Sequence, residues 1–273
     1  MLTDYHTHLR PDVRDTPPSR YFTEQNVQRY VDAAHACGVE ELGFSEHVYR
    51  FRESLAIWRH PFWEECAHDS LDEYAEFLAG MPVRAGLEVD WIPEREEQIA
   101  AIIDSYPWDY IIGSVHFIAD RAVDHDGYDI WETSSPDEVW SSYFDTLGAA
   151  AASGLFDVLA HPDLVKVWGK DKPDPPRPLR EYYELAIDRI AAADIAIEVS
   201  TAGLRKPVGE IYPARELLEM CVAAGKPVSL SSDAHEPEWI GHGYDRALAL
   251  LGGCGVEQVA VFENRQRREV ALG

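Results

Sequence analysis

The sequence predicts an α/β fold in which repeated βα units build one mostly parallel sheet, and three observations carry that reading. Seven short apolar or β-branched runs recur, near Leu2–Tyr5, Glu41–Phe44, Val83–Val89, Tyr110–Val115, Val158–Ala160, Ala196–Val199 and Val228–Ser231. Longer stretches of helical period fill the gaps between them, the alternation expected of βα repeats. Histidines and acids gather at the C-terminal ends of those runs, which form the active-site rim of a βα barrel.

Val27, Tyr30, Val31 and Ala34 repeat at i, i+3, i+4 and i+7 before Gly38 ends the first helix. Helical period also covers about Pro93–Ser105, Pro136–Ser153, Pro178–Ala193, Pro213–Ala224 and His242–Leu251. Four of these segments begin at a proline, which suits a first helical turn. An eighth apolar run, Val259–Phe262, is expected to close the barrel or to pack outside it. Tyr49–His68 and Gly169–Arg177 are too long or too proline-rich for simple connections and read as loops over one face. No composition shift or flexible linker divides residues 1–273, so a single domain is expected.

With 46% hydrophobic and 27% charged residues, the chain is globular and long enough to bury a large core. Its 24 Lys plus Arg against 49 Asp plus Glu give a net charge of −25, which repels polyanions. Neither nucleic acid nor an anionic membrane is therefore an expected partner, and a small phosphorylated substrate would need local positive charge. Cys37, Cys66, Cys221 and Cys254 form no C-x-x-C pair and read as reduced, buried thiols. The N-terminus has no basic or apolar leader pattern and the apolar runs are too short to span a membrane, so a cytoplasmic protein is expected.

Six of the 11 histidines stand at or just beyond strand ends: His6, His8, His47, His116, His161 and His235. Glu88 ends the third strand and Asp233 the seventh. A single histidine after a strand is ordinarily a half-buried imidazole satisfied by hydrogen bonds. The same residue at five separate strand ends is a pattern. Imidazoles and carboxylates without cysteine are the donor set for Zn, Mn or Fe. The alternation His6-Thr7-His8 puts both rings on one side of an extended segment, and a carboxylate such as Glu88 can bridge two ions. Eight or nine such ligands suit two to three divalent metal ions. A multinuclear site of that kind activates water and stabilises the oxygens of phosphoester hydrolysis.

The order His6-x-His8, Ser45-Glu46-His47, Gly86-Leu87-Glu88, Gly113-Ser114-Val115-His116, Ala160-His161-Pro162-Asp163 and Ser232-Asp233-Ala234-His235 resembles the PHP (polymerase and histidinol phosphatase) family of metal-dependent phosphoesterases. The resemblance implies the PHP fold, an α/β distorted (β/α)7 TIM-like barrel holding three divalent metals. It implies that His6, His8, Glu88 and Asp233 hold one ion and that Glu88, His116 and His161 hold a second. His47 and His235 would take part of a third. Relatives complete that third site with a histidine following a proline, and the matching context here, Arg10-Pro11-Asp12, carries the role to Asp12. Glu88, Asp233 and His235 then stand nearest the chemistry.

Glu198-Val199-Ser200-Thr201-Ala202-Gly203-Leu204-Arg205-Lys206, followed by Glu210-Ile211-Tyr212-Pro213, is similar to the histidinol-phosphate phosphatase branch of that family. The implied reaction is hydrolysis of L-histidinol phosphate to L-histidinol and phosphate in histidine biosynthesis, by a metal-activated hydroxide. The alternative is another PHP phosphoesterase acting on phosphotyrosine, a nucleotide or oligonucleotide ends. Arg205 and Lys206 are the expected phosphate-binding pair, with Lys166 a second candidate. Glu46 and Asp90 are among the acids available for the substrate ammonium. Trp58, Phe62 and Trp63 with His60 are expected to pack a loop over the barrel, where they would also be able to enclose an imidazole. His35, His68, His125 and His242 are expected to stand outside the chemistry. Gly252-Gly253-Cys254-Gly255 follows a helix and reads as a turn, not a phosphate loop.

Overall fold

β1 (Thr3–Asp4), β2 (Glu41–His47), β3 (Arg84–Asp90) and β4 (Tyr110–Ser114) lie side by side in chain order, all parallel, in the computed structural model, which describes residues 1–11 and 20–272. The small hairpin β5 (Phe117–Ile118) and β6 (Arg121–Ala122) branches off before the sheet resumes. β7 (Val158–Leu159), β8 (Ala196–Ser200) and β9 (Val228–Ser231) complete seven parallel strands. All seven fall on runs expected from the sequence. The last strand returns beside the first: Thr7 bridges Ala234, the His8 amide donates to the Ala234 carbonyl at 2.8 Å, and the Ser232 amide donates to the Asp4 carboxylate at 2.9 Å. The sheet is thus a nearly closed (β/α)7 barrel.

Among the described residues, eight α-helices surround it. In α1 (Glu24–Cys37) Thr23 caps the Asn26 amide, Val27, Tyr30 and Ala34 are buried, and Gly38 takes a left-handed φ of 81° that ends the helix. α2 (Pro61–Cys66) and α3 (Leu71–Ala79) were not expected as helices. Both are short, and α3 owes its start to the Ser70 cap and its packing to Leu71, Tyr74 and Leu78. α4 (Glu96–Ile103), α5 (Pro136–Ala152), α6 (Leu179–Ala192), α7 (Arg215–Ala223) and α8 (Tyr244–Gly253) match the remaining periodic segments. Of the four prolines, only Pro136 sits inside a first turn, behind the Ser135–Glu138 capping box. Pro178 is itself the cap residue, and Pro93 and Pro213 precede their helices.

The eighth apolar run does not join the barrel. β10 (Gln258–Glu263) pairs antiparallel with β11 (Gln266–Ala271) through Asn264 and Arg265, both at positive φ as a two-residue hairpin turn requires. This hairpin caps the N-terminal end of the barrel: the Arg265 amide donates to the Asp109 carbonyl at 2.8 Å, and its guanidinium pairs with Asp157 at 2.8 Å. Phe262 packs edge-on against Tyr5 at 5.7 Å, and Tyr5 lies 5.1 Å from Tyr110. The Tyr110 ring needs a bare strand beneath it, since a Cβ at Gly86 would come within 2.3 Å of it. Tyr5, Tyr110 and Phe262 are fully buried and plug the barrel floor.

The four cysteines are free, but only Cys221 is buried; Cys37 is exposed, and Cys66 and Cys254 are intermediate, packed against the edge of the core. No helix among the described residues is long and apolar enough to cross a membrane.

Because Phe262 fills the floor far from the histidine rim, Phe262→Ala should lower stability by about 3–5 kcal/mol in chemical denaturation. Metal binding by the folded fraction should stay unchanged. A loss below about 1 kcal/mol would show that the hairpin is not part of the core.

Candidate metal centre

Strand alternation sets the site. In β3, Gly86, Glu88 and Asp90 point into the barrel while Leu87 and Val89 face the helices. The Glu88 carboxylate, fully buried, meets imidazoles from four other strand ends. Its Oε2 lies 2.5 Å from His47 Nδ1, 3.3 Å from His6 Nε2 and 3.8 Å from His8 Nε2. Its Oε1 lies 3.2 Å from His161 Nε2 and 3.5 Å from His116 Nε2. Asp233, held at a φ of 51°, brings Oδ1 to 3.3 Å from His8 Nε2, 3.7 Å from His6 Nε2 and 3.6 Å from His235 Nδ1. His8 stacks between His47 at 4.3 Å and His235 at 4.1 Å.

Further carboxylates turn these rings. His6 Nδ1 is 2.8 Å from Glu198 Oε1, and His116 Nδ1 is 2.8 Å from Asp90 Oδ1. Each leaves the opposite nitrogen, Nε2, facing Glu88, the arrangement by which an outer carboxylate fixes a ligating histidine. Glu198 also accepts from the His161 amide at 2.6 Å and the Ser231 hydroxyl at 2.7 Å, so one side chain orders three strand ends. Its place in the quoted β8 motif marked it without disclosing this role. Glu46 accepts from the Arg10 amide at 2.9 Å and faces His8 Nδ1 at 3.7 Å. Glu46 and Asp90 therefore serve histidines, not a substrate ammonium.

Burial would raise the Glu88 and Asp233 carboxyls, but the histidines around them outweigh it and hold both well below the usual carboxylate range. Burial would likewise lower His6, yet Glu198, Glu88 and Asp233 hold it well above an ordinary imidazole. His116 is pushed up to about 10 against its burial, chiefly by Asp90 and Glu88. Negative oxygens thus draw positive charge into a closed space. His6 Nε2, His8 Nε2, Glu88 Oε2 and Asp233 Oδ1 are buried and make no hydrogen bond among the described residues. Such converging lone pairs fit a divalent cation, which needs neutral imidazoles and ionised carboxylates. Four overlapping groups bring their donor atoms within 4.8 Å of one another: His6-His8-Asp233, His6-Glu88-His161, His47-Glu88-His116 and His8-His47-His235. Eight of the nine expected ligands thus converge. The ninth, Asp12, lies outside the described residues.

The rim opens into a cavity of about 530 Å³, bordered by His47, His116, His161, Asp233 and His235 on the donor side. Lys206 also lines it. Lys166 does not: its ammonium is held by Asp163 at 2.9 Å, the Ile211 carbonyl at 2.9 Å and Glu210 at 3.3 Å, so it is already neutralised. Arg205 stands beside the cavity lining, donating Nη2 to the Ser232 and Asp233 carbonyls at 2.8 and 2.9 Å and lying over Trp239. It thereby braces the left-handed Asp233. Its Nη1 is buried with no hydrogen bond among the described residues. His60 stacks on Trp58 and caps α2 through its ring nitrogen, while Phe62 reaches the cavity. His68 and His125, expected to stand apart, also border it, whereas His35 and His242 are exposed elsewhere.

Together these features define a βα barrel whose C-terminal rim carries an N/O donor set able to hold divalent metal. The PHP domain profile matches residues 19–202, and the chain belongs to the PHP domain family. A probable histidinol-phosphatase of Deinococcus radiodurans is 33% identical over 248 residues, covering 88% of this chain and 91% of that protein. The histidinol-phosphatase of Bacillus subtilis is 26% identical over 260 residues, covering 85% and 96%. The crystal structure of histidinol phosphate phosphatase from Lactococcus lactis, complexed with zinc, L-histidinol and phosphate, superposes with a TM-score of 0.76 at 24% identity, covering 98% of both chains. That likeness confirms the barrel.

Removing the charge that orients His6 should loosen metal without unfolding the barrel. Glu198→Gln is expected to weaken metal binding about 10–100-fold in chelator competition. Unchanged affinity would contradict the role given to Glu198.

Proposed function

We propose that the chain is a metal-dependent phosphatase that hydrolyses L-histidinol phosphate to L-histidinol and inorganic phosphate. The observation that carries this reading is the set of buried, unbonded ring nitrogens and carboxylate oxygens around Glu88, opening directly into the cavity. The names of the PHP relatives, which cover most of their own length and of this chain, supply the substrate. The overlapping donor groups favour two to three ions, and an all-N/O donor set suits Zn, Mn or Fe. Divalent ions bound there would neutralise phosphoryl oxygens and lower the pKa of water.

The chain's own residues do the rest. His6, His8, His47, His116, His161 and His235, with Glu88 and Asp233, would be the metal ligands, Glu88 facing two groups at once. Asp12 keeps the role its motif position implies. His235 lines the cavity with its ring partly exposed, next to where the phosphate would sit. Arg205 offers the buried Nη1 beside Asp233 to a phosphate oxygen, and Lys206 adds a second positive charge from the wall. Hydrolysis then breaks the bond between phosphorus and the alkoxide oxygen, forms one to a water oxygen, and delivers a proton to the departing alkoxide. A net charge of −25 disfavours polymeric substrates, which need a basic track. Four free cysteines fit a cytoplasmic enzyme.

The test is a substrate panel on metal-loaded protein: histidinol phosphate beside para-nitrophenyl phosphate, phosphotyrosine, nucleotides and a short oligonucleotide. The highest kcat/KM is expected for histidinol phosphate, and a nucleotide or oligonucleotide preferred over it would overturn the reading. Arg205→Ala should lower kcat/KM on every monoester by about 10²–10³-fold, or about 2.7–4 kcal/mol, with Arg205→Lys restoring part.

A further inference from the structure

The cavity lining is chemically mixed. One part is the donor rim, suited to a phosphate. The other part is walled by Phe62, which packs against Tyr49 at 5.1 Å, Phe117 at 5.7 Å and His125 at 4.8 Å, and besides Asp233 the lining holds two carboxylates, Glu65 and Asp124. Asp124 is half-buried and forms no hydrogen bond or ion pair among the described residues. Glu65 and Asp233 have partners within the chain, so an unpaired carboxylate lining the same cavity points to a ligand that supplies its partner.

Its position is fixed. The β5–β6 hairpin folds the chain back so that the Val123 amide donates to the His116 carbonyl at 2.9 Å. The Val123 carbonyl in turn accepts from the indoles of Trp168 at 2.8 Å and Trp131 at 3.4 Å. The residue just before Asp124 is therefore tied to the metal rim and to a second loop. The charge of Asp124 acts on His116, Tyr143 and Tyr212, which places it on the His116 side of the cavity.

We infer that Asp124 is the receptor for a cationic group of the substrate, so that the site selects phosphate monoesters that also bear an ammonium or imidazolium. The inference rests on the proposed phosphatase reading and deepens it. The aromatic wall suits such a group as well, because a flat ring stacks there and a cation is attracted to the ring faces. An anionic or neutral alcohol leaves Asp124 unpaired in a partly desolvated pocket, and that penalty is the source of selectivity.

The experiment compares 4-aminobutyl phosphate with butyl phosphate, alongside histidinol phosphate, on metal-loaded wild type, Asp124→Asn and Asp124→Glu. Asp124→Asn should lose about 10–100-fold in kcat/KM on both cationic esters, mainly through KM, as expected for one charge-assisted hydrogen bond. Butyl phosphate turnover and metal content should stay within about twofold. Asp124→Glu should restore part of the preference. Calorimetry should show L-histidinol binding weakened by a similar factor in Asp124→Asn. Equal losses on cationic and neutral esters would show that Asp124 acts through His116 and would overturn the inference, as would no loss at all. If wild type hydrolyses butyl phosphate yet shows no preference for either cationic ester, the phosphatase reading stands and this inference falls. If no monoester is hydrolysed, the phosphatase reading fails, and the L-histidinol binding arm alone decides for or against Asp124.

Discussion

The structure depends on how the Glu88 carboxylate is buried. A lone carboxylate removed from water is prohibitively costly, and nothing on β3 itself compensates it. Compensation comes from His47 on the neighbouring strand, from His116 after β4, from His161 after β7, and from His6 and His8 after β1. His47 and His116 flank Glu88 from the strands paired with β3, whereas His161 and the two histidines after β1 come together over it only when the sheet curls until β9 meets β1. Barrel closure at Thr7 and Ala234 and assembly of the donor cluster are therefore one event.

The two ends of the barrel divide the labour. At the N-terminal end Tyr5, Tyr110 and Phe262 fill the interior, and the hairpin turn is clamped to Asp109 and Asp157. At the C-terminal end the interior is polar, and its carboxylates and imidazoles satisfy one another only incompletely. Asp233 holds a left-handed conformation there, braced through its carbonyl by Arg205. Imperfect pairing and local strain concentrate where ligands bind, while the floor supplies the packing that tolerates them.

Much of this was legible in the sequence because the histidines punctuate strand ends. Each of the seven runs became a strand, and the eight expected ligands that the structure describes converge. What was not legible depends on contacts between distant segments. Lys166 reads as a free cation until Asp163 and Glu210 are seen to hold it, and the bracing of Asp233 by Arg205 Nη2 shows only in its bonds to the Ser232 and Asp233 carbonyls. Glu198 organises His6, His161 and Ser231 from 192, 37 and 33 positions away, which no local pattern encodes. The Val259–Phe262 run carries a strand signal, but only the positive-φ turn after it and its bonds to Asp109 place it beneath the barrel.

Glu88 holds positive charge at the heart of the rim by facing two candidate metal groups at once. Elemental analysis of wild type and Glu88→Gln, purified and reconstituted alike and checked for folding by circular dichroism, tests this most directly. Two to three divalent ions are expected per wild-type chain, with at least one lost from a folded Glu88→Gln variant. A wild-type chain that retains no more than one ion after reconstitution, or a Glu88→Gln variant with the full complement, would contradict it.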